Sequence, residues 1–233
     1  QPQISRWHKW LTKQEGEYQA LLYGAAYKQA MAAGDAHYRT EGTGQNEWYT
    51  PSPIIEAART VMGSIDLDPA SCKEAQKVVK ATKCFTKEQD GLTQEWHGKV
   101  WLNPPFSRDL IKPFTQKLLA ELEAGRTTQA ILITHNNTDT QWCRDLTTSK
   151  WKPITCLPFG RVPFHRHGEI CCSTIGQMIF LFGGDWELFS RVFDRLGIIH
   201  LQWRVHTGEW SVPRAPSKDE AYYASRYPSD VEK

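Results

Sequence analysis

Apolar runs alternate with amphipathic segments from Asn46 to about Leu201. The amphipathic segments carry apolar residues at helical spacing, most clearly in "IIEAARTVM" and "SRDLIKPFTQKLLAELEAG". The apolar runs between such segments are typical of buried strands: "GSIDLD", "KVWLN", "QAILITH", "ITCLPF" and "GQMIFLF". Strands that alternate with helices in this way predict an α/β fold, in which helices cover both faces of a mostly parallel sheet.

The two ends of the chain differ from this central domain, which we place at residues 46–204. Residues 1–45 contain good helix formers, as in "EGEYQALLYGAAYKQAMAAG", followed by the glycine-rich stretch "TEGTG". This pattern predicts a small N-terminal helical appendage and a flexible linker. Residues 205–233 are rich in proline, serine and charge, so we predict a mostly irregular C-terminal tail.

Composition narrows the class of protein only slightly. The chain has 233 residues, of which 40% are hydrophobic and 23% charged, and this fits one α/β domain with appendages. A formal net charge of +2 is too small to indicate a nucleic-acid partner by itself. Apolar runs of membrane-spanning length and the apolar core of a signal peptide are both missing, so we expect a soluble, cytoplasmic protein with no membrane partner. The six cysteines are expected to be reduced thiols.

The candidate chemistry lies in the stretch "VWLNPPFSRDL", which runs from Val100 to Leu110. Two consecutive prolines cannot continue a central strand or enter a helix interior, so the backbone must leave regular structure at residues 103–106. A buried-strand signal precedes this tetrad, and a helix that ends near Gly125 follows it. The tetrad is therefore predicted at the carboxyl end of a strand, where open α/β sheets bind their ligands.

The residue types of this tetrad suit a reaction at an aromatic amine. The side-chain oxygen of Asn103 and a nearby backbone carbonyl, which the prolines free from ladder pairing, can accept both hydrogens of a single NH2 group. Phe106 can stack on the planar ring that carries the amine. Two such acceptors would localise the nitrogen lone pair and aim it, so neutral Asn103 would act by positioning and electrostatics.

The tetrad "NPPF" resembles the Asp/Asn-Pro-Pro-Tyr/Phe motif of S-adenosylmethionine-dependent amino-methyltransferases. The surrounding blocks resemble, in order, those of the phage Dam-type DNA N6-adenine methyltransferases: "NEWYTPSPIIEAAR", "IDLDPAS", "DGLTQEWHGKVWLNPPFS", "ILITHNNTDTQWCRDL" and "GRVPF". This resemblance implies a Rossmann-like methyltransferase domain, S-adenosyl-L-methionine as the cofactor and adenine N6 in DNA as the methyl acceptor. It also implies a catalytic role for Asn103, Pro104, Pro105 and Phe106.

The same resemblance implies where the cofactor binds. The residues concerned are Trp48, Tyr49, Thr50, Asp66, Asp68, Ala70, Ser71, Asp90, Gly91 and Leu92. Each block also has a simpler interpretation. Ser52 suits the N-cap and Pro53 the first position of an ordinary helix, whereas "IDLDPAS" and "QDGL" suit caps and turns. The glycine-rich loop usual in methyltransferases is missing, and "HNN" stands where relatives are expected to carry Pro-Ala-Arg.

Substrate contacts are predicted beside the catalytic tetrad and in the loop "GRVPFHRHGEICC". The candidate residues are Ser107, Arg108, Arg161, His165, Arg166 and His167, which can contact phosphates without reading bases. Only 23 residues separate Phe106 from Ala130, so a target-recognition insert has no room there. We therefore predict short or relaxed sequence preference on DNA, which is either a duplex with a flipped base or a single strand, and a monomer or weak dimer.

Other interpretations stay open from the sequence. The acceptor could be RNA adenine or a protein glutamine, since methyltransferases for both share the NPPF tetrad. A nucleic-acid-binding protein with a degenerate enzyme fold is also possible, although the intact tetrad argues against it. A lysine stripe on one helix face could touch phosphates or simply be solvated; it comprises Lys73, Lys77 and Lys80. We expect no bound metal, because the spacing of the candidate ligands fits no closed zinc pair: Cys156, His165, His167, Cys171 and Cys172.

Overall fold

The computed structural model describes residues 48–166, 169–172 and 175–200, with residues 166 and 169–172 described by their backbone alone. Every described residue belongs to one unit of the chain. The predicted N-terminal appendage and C-terminal tail lie outside the described residues. Both therefore stay predictions, as do the domain boundaries at residues 45 and 204.

Seven of the nine described strands form one sheet. The strands are β1 (Leu67–Asp68), β2 (Lys83–Cys84), β3 (Gly98–Leu102), β4 (Thr127–His135), β5 (Ile154–Pro158), β6 (Pro163–Arg166), β7 (Glu169–Cys172), β8 (Gln177–Phe182) and β9 (Gly197–His200). Their order across the sheet is β2-β1-β3-β4-β8-β5-β9. Strands β2, β1, β3 and β4 pair in parallel, while β8 and β9 are antiparallel to their neighbours. The predicted α/β fold with a mostly parallel sheet is confirmed.

Helices cover both faces of this sheet. They are α1 (Ser52–Met62), α2 (Lys73–Val79), α3 (Arg108–Glu123), α4 (Gln141–Thr147) and α5 (Trp186–Phe193), with a short 3-10 turn at Gly91–Thr93. The central strand β4 alternates its buried side chains between the two layers, as a period of two requires. Ile131 and Ile133 pack with α1 and α5, whereas Ala130 and Leu132 pack with α3 and α4. A strand buried on both faces explains the continuous apolar run "QAILITH".

Helix α1 begins one residue earlier than the sequence indicated. Its N-cap is Pro51, which has no side-chain hydrogen-bonding group, and Ser52 is already the first helical residue. The predicted N-cap role of Ser52 was therefore wrong. Prolines are tolerated in a first turn because its backbone N–H groups have no partner within the helix. The predicted end of α3 is confirmed, since Gly125 follows it with a φ of +69°.

A β-hairpin occupies the stretch that the sequence indicated to be a loop. Strands β6 and β7 pair in antiparallel fashion, apart from the main sheet. The hairpin is joined to the chain before α1 by an isolated antiparallel bridge between Tyr49 and His165. Its entry is held by Gln177 on β8, whose Oε1 accepts a 2.8 Å hydrogen bond from the backbone N–H of Val162.

Candidate active site

A cavity of about 600 Å³ lies at the carboxyl ends of β1, β2 and β3. Its volume is in the range of small-molecule binding sites. The chain segments that leave these three strands form part of its wall, together with the segment before α1. The predicted residues that line it are Trp48, Tyr49, Thr50, Asp68, Ala70, Ser71, Asp90, Gly91, Leu92, Asn103, Pro104 and Pro105. Folding thus brings together residues from four separate sequence blocks.

A further apolar part of the wall was not predicted. It includes Val78 and Val79 from α2, Phe85 after β2, Trp101 on β3 and Phe114 on α3. Each of these positions fits an ordinary helical or strand pattern, so the sequence indicated core packing alone. Such side chains suit the flat faces of a nucleoside, because aromatic and aliphatic groups remove those faces from water.

Asp68 is the buried charge of the cavity. It is the last residue of β1 and is only 2% exposed. Burial raises the pKa of its carboxyl to about 6, against the opposing effect of hydrogen bonds from Ser71, Ala70 and Gln76. The Gln76 Nε2 donates to Asp68 Oδ2 at 2.9 Å and to Ser71 Oγ at 2.7 Å. A bound cation or hydroxyl group would favour the ionised carboxylate and offset its desolvation.

Asp66, the other predicted carboxylate, is not among the described residues that line the cavity. Its Oδ1 accepts a hydrogen bond from Ser64 Oγ and its Oδ2 one from the Lys99 backbone N–H, both at 2.9 Å. It packs against Gly98, where an added Cβ would lie 2.4 Å from Asp66 Oδ2. Asp66 therefore holds the start of β3, and we leave it out of the proposed cofactor site.

Asp90 and Gly91 form a turn that lines the cavity. Asp90 has a φ of +47°, and its Oδ1 accepts a 3.2 Å hydrogen bond from the Leu92 backbone N–H. Gly91 packs so closely on the preceding segment that an added Cβ would lie 1.9 Å from the Pro69 carbonyl oxygen. The turn interpretation of "QDGL" thus describes the backbone correctly, and the same turn forms part of the cavity wall.

The Asn103 amide is held at one end and unpartnered at the other. Its Nδ2 donates a 2.6 Å hydrogen bond to the Trp48 carbonyl oxygen. Its Oδ1 is buried and has no hydrogen-bond partner among the described residues; the same is true of Thr50 Oγ1. A buried acceptor left unpaired costs about 1 to 3 kcal/mol. The two oxygens are therefore suited to polar groups of a ligand.

Phe106 is not among the described residues that line the cavity; its ring belongs to a neighbouring aromatic cluster. The ring packs on His135 at a centroid distance of 4.3 Å and meets Phe164 edge-on at 5.7 Å. Burial lowers the pKa of His135 to about 4, so its ring is neutral at pH 7. His135 thus contacts the tetrad that is predicted to be catalytic, through a ring contact that the sequence did not indicate.

The predicted substrate-contacting residues that the structure describes are not among those that line the cavity. Ser107 precedes α3 and Arg108 begins it. Arg161 is exposed before β6, and His165 is half-buried within it. The side chain of Arg166 and all of His167 lie outside the described residues. Phosphate contacts by this group stay a prediction.

The earlier candidates for metal and phosphate binding have ordinary environments where they are described. Cys156 is buried in the core, with its Sγ 3.8 Å from the Phe193 carbonyl oxygen. Within the described ranges, no three metal-ligating side chains form a group. Lys77 pairs at 2.6 Å with exposed Glu74 on its own helix. The helices that the structure describes include none long and apolar enough to cross a membrane.

An open, mostly parallel sheet with a cavity at its carboxyl edge defines the class of Rossmann-like ligand-binding domains. More than half of the chain, residues 38–186, matches the family model for DNA N-6-adenine-methyltransferase (Dam). The chain belongs to this family.

Two further similarities were found. A DNA N-6-adenine-methyltransferase of Escherichia phage T1 is 32% identical over 94 residues, which are 39% of this chain and 37% of that protein. The match therefore spans well under half the length of the phage protein. A solved structure from Pyrococcus horikoshii, described as a candidate RNA methyltransferase, covers 68% of this chain and 97% of its own, with 14% identity and a TM-score of 0.39.

Proposed function

We propose that this protein transfers a methyl group from S-adenosylmethionine to the exocyclic N6 amine of adenine in DNA. Family membership supports the proposal, and one observation carries it. The Asn103 Oδ1 is a buried acceptor on the cavity wall without a described partner, and it lies beside two prolines that have no N–H to offer. An amine hydrogen is the group that such a site lacks.

The cavity fits the proposed cofactor in size and in chemistry. In this proposal Asp68, which lines the cavity, would hold the cationic or hydroxyl groups of the cofactor. Support comes from Thr50 Oγ1, a further polar atom without a described partner, and from the apolar wall, which suits a nucleoside. When bound, S-adenosylmethionine supplies an electrophilic methyl group on a sulfonium. The turn of Asp90 and Gly91 forms one side of the space.

In the proposed reaction, Asn103 Oδ1 and a backbone carbonyl of the Pro-Pro turn accept the two amine hydrogens. These hydrogen bonds would hold the nitrogen lone pair out of the ring and aim it at the methyl carbon. As the nitrogen–carbon bond forms, the methyl–sulfur bond would break and leave a neutral thioether. Neutral Asn103 takes no proton, so the proton that the methylated amine must lose would pass to water. Asn103 is half-buried, so an adenine paired inside a duplex cannot reach it. We therefore propose that the base is flipped out of the helix or is already single-stranded.

Labelled cofactor tests the proposal directly. The protein is incubated with S-adenosylmethionine carrying a tritiated methyl group and, separately, with DNA, RNA and a protein extract. We expect label in DNA, recovered as N6-methyladenine after digestion, and a rate of labelling about 10²- to 10³-fold lower when Asn103→Ala replaces the wild type. Label in RNA or protein alone would replace the proposed acceptor, and cofactor binding without transfer to any pool would favour a binding protein.

Two finer expectations belong to the same proposal. The protein binds DNA as a monomer or weak dimer, and it acts inside the bacterial host cell if a phage encodes it. Sedimentation of the protein with and without a short DNA duplex measures the first expectation. A stable dimer at low micromolar concentration would contradict it.

A further inference from the structure

One peptide group connects the catalytic amide to the β6–β7 hairpin. The carbonyl oxygen of Trp48 accepts the 2.6 Å hydrogen bond from Asn103 Nδ2. The N–H of the same peptide group belongs to Tyr49 and donates to the His165 carbonyl oxygen at 2.9 Å. The His165 N–H returns a 2.9 Å hydrogen bond to the Tyr49 carbonyl oxygen. Since a peptide group is planar, a partner that fixes its N–H also fixes the direction of its carbonyl.

Aromatic packing holds the same two segments together. Phe164, the neighbour of His165 on β6, is fully buried. Its ring meets Trp48 edge-on at 6.3 Å and Phe106 at 5.7 Å. The hairpin therefore contacts both the segment that carries the peptide group and the catalytic tetrad. A structural change in the hairpin is thus expected to alter the position of Asn103.

We propose that the Trp48–Tyr49 peptide group, held by the main chain of His165, is the positioning group that fixes the Asn103 amide with Oδ1 toward its substrate. This inference rests on the proposed function for the identity of the substrate alone. The opposite amide orientation would set Asn103 Oδ1 and the Trp48 oxygen 2.6 Å apart as two acceptors without a hydrogen between them. The amide is thereby restricted to one orientation.

The proposal has a consequence for the choice of residue at position 103. The related motif accepts aspartate or asparagine, so Asn103→Asp looks conservative. An ionised carboxylate has no hydrogen to donate, and one of its oxygens would face the Trp48 carbonyl. We expect Asn103→Asp to turn away from its place and to lose about 10²-fold or more in kcat. Partial recovery at low pH is expected as the carboxyl becomes protonated, while cofactor affinity stays within a few-fold.

The amide itself can be observed without an activity assay. The chain contains four asparagines, so selective ¹⁵N-asparagine labelling gives four side-chain NH2 groups, and Asn103→Ala identifies one of them. In the wild type we expect the Asn103 NH2 to exchange about tenfold more slowly than a solvated amide, because one hydrogen is donated. An Asn103 amide that exchanges like a solvated one in the wild type would overturn the proposal.

Two substitutions at one position test the role of the hairpin. His165→Pro removes the N–H that donates to Tyr49 and breaks the bridge, whereas His165→Ala keeps both backbone groups and serves as its control. We expect the slow exchange to be lost in the proline variant and kept in the alanine variant. At saturating DNA, kcat should be about tenfold lower in the proline variant than in the alanine variant, with equal cofactor affinity in both. Loss of the predicted phosphate contact of the His165 side chain is common to the two variants and raises the KM for DNA in both. Slow exchange and equal kcat in the proline variant would overturn the role of the bridge.

The proposal can still be tested if one of these measurements fails. If His165→Pro does not fold by circular dichroism, the wild-type exchange and the Asn103→Asp pH profile still decide the orientation. An Asn103→Asp enzyme with near wild-type kcat at neutral pH refutes it. If the wild type methylates no substrate, the exchange measurement still tests the positioning group, so failure of the proposed function is seen separately.

Discussion

At the scale of single residues, the site contains two buried polar groups. The described residues supply only some of the hydrogen-bond or charge partners of these groups. Asp68 has hydrogen-bond donors but no described cationic partner, and the Asn103 Oδ1 has no described donor. Both groups cost folding free energy in the empty site, and a ligand with the right complement would offset that cost. The roles of the two residues can therefore be tested separately, that of Asp68 by cofactor binding and that of Asn103 by turnover.

The first prediction concerns Asn103. Replacement by alanine removes one preorganised acceptor, and we expect kcat to fall about 10²- to 10³-fold. The cofactor dissociation constant should stay within a few-fold of wild type. Single-turnover kinetics and calorimetry measure the two quantities. Near wild-type turnover in Asn103→Ala would refute the acceptor mechanism.

The second prediction concerns the pH dependence of cofactor binding. Because burial raises the pKa of Asp68 to about 6, the carboxyl of the empty site is mostly protonated below that pH. A cationic ligand prefers the ionised form, so cofactor affinity should increase as pH rises through 6, level off above it and decrease as pH falls. Calorimetry between pH 5 and 8 tests this, with proton release expected on binding near pH 6.

Two substitutions complete that prediction. Asp68→Asn should weaken cofactor binding at pH 7.5 and remove most of the pH dependence. Asp66→Ala is the control, because Asp66 is hydrogen-bonded at the start of β3 and is not among the described residues that line the cavity. Its replacement should change cofactor affinity little and should lower stability. A stronger loss of affinity in Asp66→Ala than in Asp68→Asn would move the carboxylate site.

The third prediction concerns Phe106. Base stacking on an aromatic side chain is worth about 1 to 3 kcal/mol, so Phe106→Ala should raise the apparent KM for DNA about 5- to 150-fold. Phe106→Tyr should be tolerated. His135 and Phe164 contact the ring, so thermal denaturation must accompany the kinetics. Normal methylation by the alanine variant at subsaturating DNA would exclude a stacking role.

The sequence predicted which sequence blocks come together at the site more accurately than it predicted the role of each side chain. Asn103 directly precedes two prolines, a signal that few structures other than a strand exit can accommodate. Asp66 and Asp68 share one short block, and their types are identical. Two residues along a strand are about 6.6 Å apart, enough to place one at the carboxyl edge and the other below it. Only the paired strands decide which carboxylate reaches the cavity.

At the scale of elements, the 3-10 turn of Gly91–Thr93 forms part of the cavity wall. A methyl group added at Gly91 would displace this turn. The added Cβ at Gly91 would meet a backbone carbonyl, which cannot rotate away as a side chain does. The Trp96 indole N–H fixes the turn from the other side by a 2.7 Å hydrogen bond to the Gly91 oxygen. The steric clash can therefore be relieved only if the whole turn moves.

The fourth prediction follows from this packing. Gly91→Ala should lower the free energy of unfolding by about 1 to 3 kcal/mol, as overpacking does, and should weaken cofactor binding because the turn lines the cavity. Gly125→Ala is the matched control: its φ of +69° is strained for alanine, yet no described atom lies within 4 Å of the new Cβ. The control should lose stability and keep its cofactor affinity. Equal affinity in both variants would contradict the prediction.

Elements with long, regular patterns were predicted, whereas several short or isolated ones were not. Strand β4 is buried on both faces and its apolar run is unbroken, so its pattern has no competing interpretation. Strand β2 has two residues and β9 has four, too few to establish a period. The β6–β7 hairpin was missed because Pro163 and charged residues interrupt its alternation, and its bridge to Tyr49 is a contact across more than a hundred residues of chain.

At the scale of the whole molecule, the path from the catalytic tetrad to β4 bears on sequence recognition. Helix α3 covers residues 108–123 and a glycine turn leads into β4 at Thr127, so this connection holds one helix and no added domain. Discrimination of bases in the major groove needs several side chains on a rigid element, each good bidentate contact worth about 1 to 3 kcal/mol. Within the described residues, the β6–β7 hairpin is the best candidate for DNA contact.

The fifth prediction concerns that contact. We expect short or relaxed sequence preference and binding that weakens steeply with salt, since phosphate contacts release counterions. Methylation of random-sequence DNA, followed by mapping of modified adenines, measures the preference. A strict requirement for four or more fixed bases would refute it and would direct attention to the predicted N-terminal helices. Arg161→Ala should reduce the salt slope by about one unit if Arg161 contacts a phosphate.

The two prolines of the tetrad also bear on how the reaction would end. Beside Asn103 they leave a surface that accepts hydrogen bonds but cannot donate them. In the proposed reaction, unmethylated adenine fills both acceptors with its two amine hydrogens, whereas the methylated base retains a single hydrogen and leaves one acceptor empty. The enzyme would therefore hold its product more weakly than its substrate, so the spent base returns to the helix and a second methylation of the same nitrogen is disfavoured.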